Sequence, residues 1–301
     1  IDNGDRFPAD YIAEGVDQTR GWFYTLHAIG TLVFEKEAYK NVISNGLVLD
    51  KTGQKMSKRL GNAIDPFETL DRFGPDATRW YMISNSNPWD NLKFDIDGIA
   101  EVQRKFFGTL YNTYSFFSLY ANIDNFDPKK EDLIPYQKRT ELDKWIISEL
   151  NSLILEVERS YENYEPTKSC RAISDFIQEK LSNWYVRLSR RRFWKGEYGE
   201  DKIAAYQTLR ECLITVSKLG ASIAPFYMDH LYKDLIIDKS SSVHLTDFPK
   251  VNHELINTEL EAQINTARNL TSLALSLRKK EQIKVRQPLK KLIIPTKNQS
   301  E

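Results

Sequence analysis

Apolar positions change their period once along this chain, near residue 98. Before that point short apolar runs alternate with turn residues. Tyr11-Ile12-Ala13 reads as a strand that ends at the acidic turn Glu14-Gly15-Val16-Asp17-Gln18. Thr19 to Tyr24 then opens a helix running to about Phe34, with Leu26, Ile29 and Val33 on its inner face. Leu47 to Leu49 reads as a strand and Asp50 to Gly53 as a tight turn. Asp65-Pro66 starts a short helix and Gly74-Pro75 another, with Pro75 in its first turn; 85 to 94 is irregular around a turn at Trp89-Asp90.

Beyond residue 98 the spacing is three and four. Ile99, Val102, Phe106, Leu110, Thr113 and Phe117 share a helix face, and so do Leu142, Trp145 (or Ile146), Leu150, Leu153 and Val157, until Pro166 halts the pattern. Residues 122 to 136, polar and with two prolines, form a long connection. Helices near 167–195, 201–223, 225–237 and 254–281 complete a bundle, in which Phe106, Phe107, Tyr111 and Phe116 serve packing. The expected class is mainly α: a strand-turn-helix portion of a doubly wound α/β sheet over 1–97, a helical bundle over 98–281, and the start of a junction over 282–301.

With 301 residues, 41% of them hydrophobic, the chain can bury a sizeable core in about two domains. Lys+Arg and Asp+Glu balance at 42 each, so affinity for a polyanion must come from local clustering. Cys170 and Cys212 stand alone, without metal-ligand spacing, which argues against a zinc site and predicts two buried free thiols in a reducing cytosol. No apolar run approaches about 18 residues and no signal peptide is visible, so a cytoplasmic monomer without membrane partner is expected. Ile1-Asp2-Asn3-Gly4 carries no initiator methionine, which suggests a piece of something longer.

The candidate chemistry is cationic. Lys55, Lys58 and Arg59 fall within five residues, with Ser57 between the lysines, and ammoniums on flexible stems can follow a phosphate chain as its charge shifts. A phosphate-binding loop and a solvated basic hairpin tip both fit that pattern. Glu14 and Asp17 could grip an ammonium or a ribose hydroxyl beside Gly15, or merely cap the next helix. On the helix over 174–195, Ile173, Ile177, Leu181, Trp184 and Leu188 mark an apolar face. A turn of 100° per residue gathers Asn183, Arg187, Arg190 and Trp194 on another side, while Arg191, Arg192 and Lys195 crowd the last turn. Five cations without an acid exceed what a helix dipole needs, so contact with an RNA phosphate backbone, with Trp194 for stacking, competes with a solvated face. A second cluster, Arg278-Lys279-Lys280 with Lys284, Arg286, Lys290 and Lys291, is offset only by Glu281; Ile283 to Arg286 alternates like a strand, and a frayed basic tail is the plain alternative.

Lys55-Met56-Ser57-Lys58-Arg59, entered through Asn45-Gly46 and left through Gly61-Asn62, resembles the second signature of class I aminoacyl-tRNA synthetases, a loop that closes over ATP. The fifth position is usually serine, and here it is Arg59. Ala13 to Phe23 is similar to the strand-turn-helix that contacts the adenylate in isoleucyl-tRNA synthetases, Asn183 to Arg192 resembles their anticodon-binding helical domain, and Gln287-Pro288-Leu289 is similar to their junction into a C-terminal appendix.

That resemblance implies a Rossmann-like nucleotide-binding remnant followed by a helical-bundle anticodon-binding domain. It implies Lys55 and Lys58 as catalytic groups, Glu14, Gly15, Asp17 and Gln18 with Lys55, Met56, Ser57 and Lys58 around ATP and adenylate, and Asn183, Arg187, Arg190, Arg191, Arg192, Trp194 and Lys195 on tRNA. ATP with Mg²⁺, L-isoleucine and tRNA(Ile) would be its substrates and partners, with no metal ligand in this chain. The family's His-x-Gly-His signature is missing, since His27-Ala28-Ile29-Gly30 has the wrong order. The first half of the nucleotide fold and its editing insertion are therefore expected upstream, and this piece should not catalyse alone. Valyl and leucyl relatives carry other residues at the Glu14 and Gln18 positions; a non-catalytic tRNA-binding helical module is the reading from a different class.

Overall fold

The computed structural model describes residues 7–237 and 240–294, with Lys58 described in its backbone alone; Ile1-Asp2-Asn3-Gly4 and the last seven positions of the expected junction lie outside the described residues. Strand β1 (Ala9–Gly15) runs parallel to β2 (Tyr39–Asn45), in register from Ala9 opposite Tyr39 to Gly15 opposite Asn45. Parallel pairing requires a crossover, and helix α1 (Trp22–Phe34) supplies it. Its inner face is not the expected one. Phe23 and Gly30 are buried, whereas Ile29 and Val33 are 48% and 66% exposed. The backbone decides this: a Cβ on Gly30 would lie 2.9 Å from the Lys36 carbonyl oxygen, so only that side of α1 lets the chain return closely enough to enter β2.

Strand β3 (Val48–Leu49) then pairs in parallel with β4 (Leu92–Lys93). Gly46, just before β3, passes so close to the segment leading into β4 that a Cβ there would meet the Asp90 carbonyl oxygen at 2.2 Å. Between them lie α2 (Pro66–Phe73), capped by Asp65, whose side chain accepts from the Phe67 and Glu68 amides, and α3 (Pro75–Asn85). Phe73, Ala77, Tyr81, Leu92, Phe94 and Ile99 close a small core over this part.

Helix α4 (Ile96–Val102) continues through a wide π turn at Gln103–Phe107 into α5 (Gly108–Ile123). After the long connection come α6 (Glu141–Glu162), opened by a Thr140/Asp143 capping box, and α7 (Pro166–Asp175). A π segment over Phe176–Val186 carries α7 into α8 (Arg187–Trp194); α9 (Glu200–Gly220), α10 (Pro225–Leu235) and α11 (Thr258–Lys280) follow. The main core runs through this bundle, with Trp145, Ile146, Phe176, Tyr185, Tyr206 and Leu213 all but inaccessible. Trp80 of α3 belongs to it as well, stacked on Phe106 at 4.0 Å and donating to Ser174 at 3.1 Å, so the two parts share buried surface. Cys170 and Cys212 are buried and free. No helix among the described residues is long and apolar enough to cross a membrane.

Two further expectations from the sequence are not met. The π segment displaces the inward face of the α7–α8 rod by one residue: Tyr185, Ser189 and Phe193 are buried, and Leu188, expected inside, is 53% exposed. Residues 283–286 form no strand, because Gln282 turns left-handed (φ 55°) and Arg278 draws the returning carbonyls onto its own side chain.

Candidate functional site

The two parallel strands β1 and β2 end side by side, Gly15 opposite Asn45. The acidic turn leaves one of these ends, and three residues beyond the other β3 begins and leads into the lysine loop. The acidic turn thus follows the C-terminal end of β1 and the lysine loop that of β3, each a strand of its own parallel pair, and strand C-termini are where α/β sheets receive ligands. Gln18, not a carboxylate, caps α1: its Oε1 accepts from the Trp22 amide at 2.7 Å. Its Nε2 donates to Asp17 at 2.9 Å, and a Cβ on Gly15 would lie 2.7 Å from Asp17 Oδ1, so glycine is what lets that carboxylate fold back over the strand end. Glu14 is exposed and makes no hydrogen bond or ion pair among the described residues.

The lysine loop is built on two side chains whose role the sequence reading missed. Asp50 Oδ1 accepts from the Thr52 and Gln54 amides, each at 2.9 Å, and from the Thr52 hydroxyl at 2.7 Å. Its Oδ2 accepts from Asn62 Nδ2 at 2.8 Å, while Asn62 Oδ1 accepts from the Ser57 amide at 2.8 Å. Hydrogen bonds from Thr52 first, then Asn62 and Gln54, hold the Asp50 carboxyl far below the usual carboxylate range. Asp50 and Asn62 thus tie the two feet of the loop together, and the left-handed Gly53 (φ 89°) and Gly61 (φ 67°) turn the chain at its ends. An aspartate three residues before a glycine after an apolar run was the available signal.

Between those feet Lys55 is exposed and Met56 packs on the small core. Residues Lys58–Leu60 form one 3₁₀ turn; the Lys58 side chain lies outside what is described. Behind Met56 opens an apolar cavity of 410 Å³ bounded by Val48, Ile64, Leu70, Met82 and Phe94.

On the bundle, Asn183, Arg187, Arg190, Arg191, Trp194 and Lys195 are all exposed, and the four cations among them form no ion pair among the described residues. Arg192 departs from the expected set. Its guanidinium forks onto Asp143, both bonds at 2.8 Å, and also reaches Asp201 at 2.8 Å, leaving its side chain 15% exposed. The acid that neutralises it sits 49 residues away on α6, out of reach of any local charge count. Arg192 is therefore an internal brace, and the stripe available to a ligand is made of the other six. Burial pushes the Asp143 carboxyl up, but the hydrogen bonds and charge of Arg192, with bonds from Tyr185 and Thr140, outweigh it and hold it below its ordinary value.

A family model described as the anticodon-binding domain of tRNA ligase matches residues 143–293, and one described as class I tRNA synthetases (I, L, M and V) matches residues 2–95. The isoleucine–tRNA ligase of Bacteroides thetaiotaomicron is 61% identical, with 100% of this chain and 26% of that protein covered. That of Cytophaga hutchinsonii is 63% identical over 96% of this chain and 26% of its own length, and that of Clostridium tetani 47% identical over 97% and 28%. The chain thus spans about a quarter (26%) of the length of the most similar curated relatives. Among solved structures, the ternary LeuRS-tRNA-LeuAMS complex of Agrobacterium radiobacter K84 agnB2 superposes with a TM-score of 0.64 at 19% identity, covering 83% of this chain and 29% of that one; the likeness is one of fold.

Proposed function

This chain belongs to the class I tRNA ligases, and on that premise we propose that it is the ATP-closing and tRNA-binding part of an isoleucine–tRNA ligase, which activates L-isoleucine with ATP and passes it to tRNA(Ile). The observation that carries the reading is that the acidic turn and the braced lysine loop each leave the C-terminal end of a parallel strand, β1 and β3, in two successive strand pairs. In this reading Lys55 and Lys58 meet the β- and γ-phosphates as pyrophosphate departs, where charge develops and fixed cations act most strongly. Glu14, without an ion pair among the described residues, takes the ammonium of the amino acid; Gly15, Asp17 and Gln18 line the adenosine side. Mg²⁺ bound to the phosphates would supply positive charge there, beside Lys55 and Lys58. No group of three or more metal-ligating side chains stands together among the described residues, so no step is assigned through it.

The division at about residue 97, a cytoplasmic location, a monomeric state and the inability of this segment to catalyse alone belong to the same proposal. Isoleucine-dependent pyrophosphate exchange by the full-length ligase tests it. Replacing Lys58 with Ala lowers exchange by about 10²–10³, the usual cost of removing one such stabilising contact. Unchanged exchange rejects the loop assignment, and exchange driven by valine or leucine instead moves the protein to a sister specificity.

A further inference from the structure

The second basic cluster is folded, not frayed. Helix α11 is anchored by its first half: Leu260 and Ile264 pack on the bundle core, Glu261 accepts from Ser148 and, at 2.9 Å, from Ser152, and Arg268 reaches Glu179 at 3.7 Å. Beyond Arg268 the helix makes no hydrogen bond or ion pair to the bundle among the described residues. At its end the chain reverses through the left-handed Gln282, with the Ile283 amide donating to the Arg278 carbonyl at 2.8 Å. Arg278 Nη1 then donates to the carbonyls of Lys284 and Gln287, each at 2.9 Å. Ile283, Leu289 and Leu292 line, together with Ala274 and Leu277, an open recess of 340 Å³.

This knuckle displays Lys279, Lys280, Lys284, Arg286, Lys290 and Lys291, every one exposed and none ion-paired among the described residues. Residues 278–291 hold seven cations against one acid, in a chain whose charges cancel over its whole length. The helix dipole accounts for cations in the last turn of α11 only, and four of the seven lie past its end. Because Arg278 bonds to carbonyls and not to a carboxylate, it organises the fold while leaving the local charge intact. Like charges held this close repel one another until a polyanion arrives.

We propose that the knuckle is a second seat for the phosphate backbone of tRNA, separate in sequence from the α8 stripe and reading charge and position instead of bases. It rests on the tRNA-ligase reading above. The test is tRNA binding by the full-length ligase between 50 and 200 mM salt, with a Lys279→Ala/Lys280→Ala/Lys284→Ala variant beside the parent. Loss of three phosphate contacts flattens the slope of log affinity against log salt by about two to three, so the parent's advantage shrinks roughly twenty- to fortyfold across that range. Equal slopes and equal affinities overturn the proposal, as does a loss confined to binding of anionic phosphatidylserine vesicles. An Arg278→Lys variant keeps the charge and loses the fork; weaker tRNA binding at fixed salt supports an organised seat, and parental binding contradicts it. Isoleucine-dependent exchange by the unsubstituted ligase judges the functional reading separately: with exchange present and slopes equal, only the knuckle fails.

Discussion

Arg192 shows how a side chain expected in a binding stripe can instead be structural. Its fork onto the fully buried Asp143 is completed by the Tyr185 hydroxyl at 2.6 Å and the Thr140 hydroxyl at 2.8 Å, so every oxygen of that carboxylate is occupied. Truncating one partner of a buried pair strands the other, at a cost of about 3–5 kcal/mol. Arg192→Ala is therefore expected to lower the unfolding free energy measured by denaturant titration by that order, whereas Arg191→Ala, on the exposed side, leaves it nearly unchanged. The pH dependence follows from the lowered carboxyl of Asp143. The folded state takes up that proton later than the unfolded chain as pH falls, so the contribution is whole above about pH 4 and is lost as pH drops through the lowered native value. An Asp143→Asn variant should show a shallower decline of stability with acid over that window, measured by urea unfolding at successive pH values.

The α7–α8 rod makes the corresponding point for an element. With 100° per residue throughout, Leu188 belongs inside; the π segment at Phe176–Val186 turns the next stretch so that Phe193 and Ser189 face the core instead. Phe193→Ala should cost about 3–5 kcal/mol and Leu188→Ala under about 1, the reverse of what an unbroken helix implies, and thermal unfolding of the two variants decides between them. Periodicity was enough to place the helices and the exposed cations at 187, 190 and 191, and turn residues bounded the lysine loop, because those depend on near neighbours in the chain. What it could not supply were quantities set by distant partners: the wide turn, the carboxylate that claims Arg192, and the glycine-side packing of α1.

In the whole molecule, one corner of the bundle holds both parts of the α/β portion. Between α6 and α7, Tyr164 (φ 57°) stacks on Tyr11 of β1 at 4.8 Å and its hydroxyl accepts from Asn41 of β2 at 3.2 Å. A few residues on, Thr167 donates to the Ile83 carbonyl at 2.7 Å, and Arg171 donates to those of Ser84 and Asn85 at 2.8 and 3.0 Å, fastening the end of α3, from which the chain runs on to β4 beside the lysine loop. Displacing reacting groups by about 1 Å can cost about 10²-fold in rate. Arg171→Ala in the full-length ligase is accordingly expected to slow isoleucine-dependent exchange at saturating substrate by up to that factor; a change in tRNA affinity alone would mean the corner serves the bundle only. The succession of parallel strands followed by a helical bundle was legible from the change of period, but this joint was not, since its members lie more than eighty residues apart in the chain.

A rod clamped at its root behaves differently along its length. The twelve residues of α11 after Arg268 reach about 18 Å from the last tether, so a few degrees of tilt at the clamp sweeps the tip through ångströms, and amide protons near Leu275 should exchange with solvent far sooner than those near Ile264. A polyanion on that tip is therefore expected to meet charges that move together, as one array at the end of a lever, and those exchange rates are the measurement that checks it.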